Sequence, residues 1–121
     1  MKELFTLSFP LGSDKMTTVR LATGGACALV GLNLDDSEDC KVCVTESLLV
    51  LMHRGYTAAR VIFGEENGLC VRVEGEGEGV QDASEADEIS FALLGALNDS
   101  VQTQERDGKL AGITFRFGLK E

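Results

Sequence analysis

The chain has 121 residues, a size that suits one domain able to bury a core without disulfides or metals. With 44% hydrophobic and 26% charged residues and a single proline, it is neither a disordered linker nor a low-complexity segment. The net charge of −9 disfavours nucleic acid and anionic lipid as partners and favours basic protein surfaces, although an acidic surface is also simply a soluble one. No stretch of about 18 uncharged apolar residues occurs and the first residues carry no cleavage pattern, which points to a cytoplasmic protein.

In chain order, Phe5, Leu7 and Phe9 alternate within residues 3–9 and predict a first strand, ended by Pro10-Leu11-Gly12-Ser13. Ser13 or Asp14 can cap a helix in which Val19, Ala22, Ala26, Leu29 and Val30 recur at helical spacing, and Gly31 with Asn33 closes it. Gly24-Gly25 in its middle disfavours helix by about 1 kcal/mol each against alanine and suggests close packing by a neighbour. A second helix starts at Asp35 or Asp36, with Asp36, Glu38 and Asp39 suited to its positive end. Its stripe is Cys40, Cys43, Val44, Ser47, Leu48 and Leu51, and the run 48–52 is apolar all round, as in a helix buried between layers.

Residues 58–64 and 69–73 alternate around Asn67-Gly68, a strong hairpin signal. Glu74-Gly75-Glu76-Gly77-Glu78-Gly79 reads as a flexible acidic loop. A third helix is expected from about Ser84 to Gln102 with Ile89, Leu93, Leu94, Leu97 and Val101 inside. Asp107-Gly108 then turns into a last strand, 112–117, with Ile113, Phe115 and Phe117 on one face. The order β-α-α-β-β-α-β predicts an α+β two-layer sandwich, one domain over residues 1–121, with helices on one face of a sheet whose other face is solvated or covered by a partner.

Other chemistry-bearing residues have plain readings. Cys40 and Cys43 have the spacing of half a zinc site, but within a helix that spacing merely places both on the buried face, and the four cysteines read as buried thiols. His53, near a helix end, suits the negative pole of the helix dipole. Glu46 inside an apolar helix needs a partner if it is buried.

Val19-Arg20-Leu21, Gly25, Gly31, Asp36, Glu38-Asp39, Lys41, Val44 and Glu46, followed by Tyr56, form a pattern over residues 19–56 that resembles the bacterial anti-sigma-factor serine kinases, proteins of the histidine-kinase-like ATPase (Bergerat-type) fold. The element order is similar along the whole chain. The resemblance implies an acid on the second helix, followed four residues later by an asparagine that ligates the Mg²⁺ of bound ATP. Here Glu46 stands at the acid's position and Val50, without an oxygen to offer, at the asparagine's. The family's adenine-binding Asp-x-Gly-x-Gly loop maps onto Gly75 or, one residue out, Glu74, with Gly77 following. Its phosphate-binding Gly-x-Gly turn maps near Glu88-Ile89-Ser90, which holds no glycine.

The resemblance therefore implies a degenerate member that binds neither ATP nor Mg²⁺ and keeps Glu46 as a vestige. Such a regulator would hold a sigma factor or an anti-anti-sigma factor through protein contacts, in a homodimer carried over from the family. The alternatives are an active serine/threonine kinase using Glu46 with ATP and Mg²⁺, and a small-ligand or structural domain outside transcription.

Overall fold

A computed structural model describes residues 1–79, 85–98 and 100–118. Strand β1 (Lys2–Pro10) leads through a 3-10 turn (Ser13–Lys15) to helices α1 (Met16–Leu29) and α2 (Leu34–His53), followed by β2 (Ala58–Glu65), β3 (Leu69–Glu76), α3 (Glu85–Leu97), β4 (Ser100–Arg106) and β5 (Lys109–Phe117). The fold is α+β, with five antiparallel strands in the order β1-β2-β3-β5-β4 and three α-helices. No helix among the described residues is long and apolar enough to cross a membrane.

The period-two pattern builds the inner face of the sheet. Phe5 pairs with Phe63 and Leu7 with Val61, Val61 and Phe63 continue to Val73 and Val71, and these continue to Ile113 and Phe115. Because successive strand residues point to opposite faces, one register puts all of these on one side. There they form the core with Val44, Leu48, Val50 and Leu51 of α2 and Val19, Ala26 and Cys27 of α1. α2 lies against α1, α3, β3 and β5, which is why its apolar run is buried nearly all round. The outer face carries ion pairs and polar contacts beside the buried Ile62 and Cys70: Arg60 pairs with Glu76 at 3.0 Å, Arg116 with Glu66 at 3.6 Å, and the Thr114 hydroxyl donates to Gln104.

Several element ends differ from the sequence expectation, each for a local reason. α1 begins after a 3-10 turn, with Lys15 rather than Ser13 or Asp14 at its cap position and no side-chain cap bond. α2 begins one residue earlier than expected, because the Asn33 side chain accepts from the Asp36 amide at 2.8 Å. Of the two glycines in α1, Gly24 lies beside the Lys41 stem, but Gly25 faces open space and carries no close packing.

The largest difference follows α3. The helix ends at Leu97, and residues 100–106, including Val101 and Gln102, form the added edge strand β4. The order is thus β-α-α-β-β-α-β-β. Asp107 and Gly108, both at positive φ (56° and 76°), make the two-residue turn of a β4–β5 hairpin rather than a link out of a helix. Glu74 to Glu76, expected in a loop, extend β3 and pair with residues 58–60 of β2.

Candidate functional site

Three of the polar residues singled out in the sequence, Glu46, His53 and Ser90, lie at the interface between α2 and α3. Glu46, Val50 and Arg54 follow one another at single-turn intervals along α2 and so share a face. Glu46 accepts a hydrogen bond from the Ser90 hydroxyl of α3 at 2.7 Å. Two turns further on, Arg54 donates through Nε to Asp87 at 2.8 Å, and His53 Nδ1 lies 3.4 Å from the same carboxylate. Asn98 at the far end of α3 reaches back to the Cys43 sulfur at 3.8 Å. Pairing residues 53–54 with 87, 46 with 90 and 43 with 98 makes α2 and α3 an antiparallel pair joined by polar links along its length.

Burial makes these links consequential. Asp87 is 2% and Ser90 4% exposed, and Val50 between them is 0% exposed and part of the core. A carboxylate so withdrawn from water needs charge-assisted bonds, and Arg54 provides one. Glu46 meets its need for a partner through Ser90. The sequence reading had not joined these residues, though a signal was present: Asp87, Ser90, Leu94 and Leu97 recur at helical spacing and mark the inward face of α3. Taking Ile89 and Leu93 as inward was an error. They are 65% and 37% exposed, because the bonds to α2 set the rotation of α3.

The other predicted positions are dispersed. Glu74 lies opposite Arg60 and Gly112 and lines a cleft of about 300 Å³ on the outer face with Arg72, Arg106 and Gln104. Gly75, one residue on, faces inward, and there the Tyr56 ring fills the space a side chain would take: a Cβ on Gly75 would stand 2.6 Å from that ring and one on Gly79 2.5 Å. The Tyr56 hydroxyl donates to the Leu110 carbonyl. Gly77 has φ of 96°, and its carbonyl, like that of Gly75, accepts from Arg106, while Lys109 donates to Gly79. The supposed loop is therefore strand up to Glu76 and held by cations from the β4–β5 hairpin beyond it. Glu88 is exposed on the first turns of α3, whereas Ser90 is turned to Glu46. Residues 80–84, before the helix, lie outside the described residues.

All four cysteines are free and buried. Cys27 of α1 meets Cys40 of α2: the Cys40 thiol hydrogen-bonds to the Cys27 sulfur and holds Cys27 down at about 7, with Ser37 and Lys41 assisting, while the same contact and burial push Cys40 up. Burial pushes the Cys43 thiol up to about 12, against the lowering effect of Asn98. Among the described residues no group of three His, Cys, Asp or Glu side chains is placed to hold a metal ion.

These features define a class no narrower than an α+β domain whose second and third helices are joined by buried polar bonds. No family model matches the chain, and no curated protein matches it.

Proposed function

We propose that the chain is a regulatory protein-binding domain of the anti-sigma-factor type, on a histidine-kinase-like ATPase fold, that works without ATP, Mg²⁺ or phosphoryl transfer. The observation that carries this reading is the direct bonding of α2 to α3 at the positions where the resemblance implies a nucleotide. Glu46 is engaged with Ser90, and Val50 is a fully buried core residue with no oxygen for a metal. Asp87 adds a buried carboxylate beside the turn onto which the resemblance maps phosphate binding, and the Tyr56 ring covers Gly75. These residues do not fit a magnesium–nucleotide group: a hard cation seeks oxygen ligands, and the face between Glu46 and Arg54 offers a valine. What remains is an acidic chain of net charge −9, suited to holding a basic protein partner such as a sigma factor or an anti-anti-sigma factor.

The test has two arms. In the first, ATP with Mg²⁺ at millimolar concentration leaves the melting temperature of the purified chain unchanged, and labelled phosphate does not pass to a serine-bearing anti-anti-sigma protein. A magnesium-dependent thermal shift, or transfer abolished by Glu46→Ala, would establish the kinase alternative instead. In the second, sigma factors from the same genome are titrated in turn against the chain. Retention of one supports the reading, and retention of none favours a domain outside transcription.

A further inference from the structure

Helix α3 carries apolar residues on two faces, with Leu94 in the core and Phe91 and Leu97 packed against it. Its inward face carries Asp87 and Ser90, 2% and 4% exposed, while Ile89 is 65% and Leu93 37% exposed. Ile89, Ala92, Leu93 and Ala96 stand at i, i+3, i+4 and i+7 and are all exposed, so they form one continuous apolar stripe facing solvent. The orientation is imposed. Turning the helix to bury this stripe would break the Ser90–Glu46 and Asp87–Arg54 bonds, and the buried bonds keep the stripe presented on a rigid support. Exposed stripes of this spacing are the anchor pattern by which one helix docks another.

Charge selects the occupant. From Val73 to Glu105 the sequence contains no lysine or arginine. Glu88 is exposed beside Ile89, and the Arg54 guanidinium is paired with Asp87. A second copy of the chain would bring the same acidic surface and the same net charge of −9, and an anionic membrane would be repelled in the same way. By contrast, the exposed Leu21 of α1 is flanked by Arg20, Lys41 and Glu38, a mixture that selects nothing.

We infer that the outward stripe of α3 is a docking surface for a basic amphipathic helix of a partner protein, its leucine-like face on Ile89 and Leu93 and its cations toward Glu88. The inference deepens the protein-binding function proposed above and rests on it, giving the partner a chemistry and a place. It requires nothing of the nucleotide positions.

The test uses the full chain and a labelled synthetic helix of leucine and lysine in heptad spacing, with a leucine–glutamate counterpart, read by fluorescence anisotropy at two salt concentrations. The double variant Ile89→Ser/Leu93→Ser leaves the charge unchanged, so any loss reports apolar contact; the milder Ile89→Ala serves as a second variant should the double one melt early. The lysine peptide is expected to bind the wild type at least tenfold more tightly than the double variant and more weakly as salt rises. The glutamate peptide should not bind, and Leu21→Ser should bind as the wild type does.

Equal binding by wild type and double variant would overturn the inference, as would equal loss in Leu21→Ser. Sedimentation showing a dimer that the double variant abolishes would overturn it in favour of a second copy. Co-sedimentation with phosphatidylglycerol vesicles, lost in the double variant, would overturn it in favour of lipid. A magnesium-dependent ATP shift would sink the non-catalytic reading while leaving the peptide result standing, so the two failures are distinguishable.

Discussion

Arg54→Ala tests whether a buried ion pair fixes α3. The Asp87 side chain is 3% and that of Arg54 12% exposed, with 2.8 Å between Nε and Oδ2. Removing the guanidinium takes its cation away from a buried carboxylate, and breaking such a pair typically costs about 3–5 kcal/mol. Asp87 keeps other contacts, His53 Nδ1 at 3.4 Å among them, so the expected loss is about 2–4 kcal/mol. With an unfolding entropy of about 2.1 cal/mol/K per residue, a chain of 121 residues loses about 8–16 °C of melting temperature. The assay is a circular-dichroism melt at neutral pH, supported by urea titration. Asp87→Asn completes a double-mutant cycle, in which removing the buried charge makes the loss of Arg54 less costly, so a coupling of at least about 1.5 kcal/mol is expected. A loss below about 1 kcal/mol for Arg54→Ala, or strictly additive changes around the cycle, would refute the idea that this pair holds α3 against α2.

Three further predictions concern single side chains. Gly75→Asp, which would supply the acid that the resemblance implies at this position, places a Cβ 2.6 Å from the Tyr56 ring; it should destabilise by about 2–3 kcal/mol in urea titration and confer no ATP binding. Ser47 is fully buried and its hydroxyl lacks a hydrogen-bond partner among the described residues, so Ser47→Ala should leave stability unchanged or raise it by about 1 kcal/mol, and a loss of that size would show a bonded hydroxyl. The folded Cys43 thiol keeps its proton to about 12 against 9.0 for an ordinary thiol. Its contribution to stability is therefore complete below the ordinary value and is lost as pH rises toward the folded one, by about 1.4 kcal/mol per pH unit. Urea titrations between pH 9 and 10.5 should show a shallower alkaline decline for Cys43→Ala than for the wild type, and equal slopes would refute the assignment.

The sequence by itself determined β1, β2, β3, β5 and the course of α1 and α2, because in each of these a buried face repeats at period two or 3.6 and the turns carry their own chemistry, as at Asn67-Gly68 and Asp107-Gly108. It also marked Glu46 as an acid in need of a partner. Strand β4 was illegible: Ser100–Arg106 lies at the sheet edge, where Gln102 and Thr103 are both exposed although they point to opposite faces, so no apolar alternation betrays it.

Only the tertiary structure decided how α3 is turned. Leu94 and Leu97 lie on the inward side with Asp87 and Ser90, while Ile89 and Leu93 lie outward, and apolar periodicity cannot choose between two such faces. Buried hydrogen bonds to Glu46 and Arg54, residues more than thirty positions away in the chain, made that choice, since a desolvated carboxylate and hydroxyl must meet their partners before an exposed isoleucine can be buried.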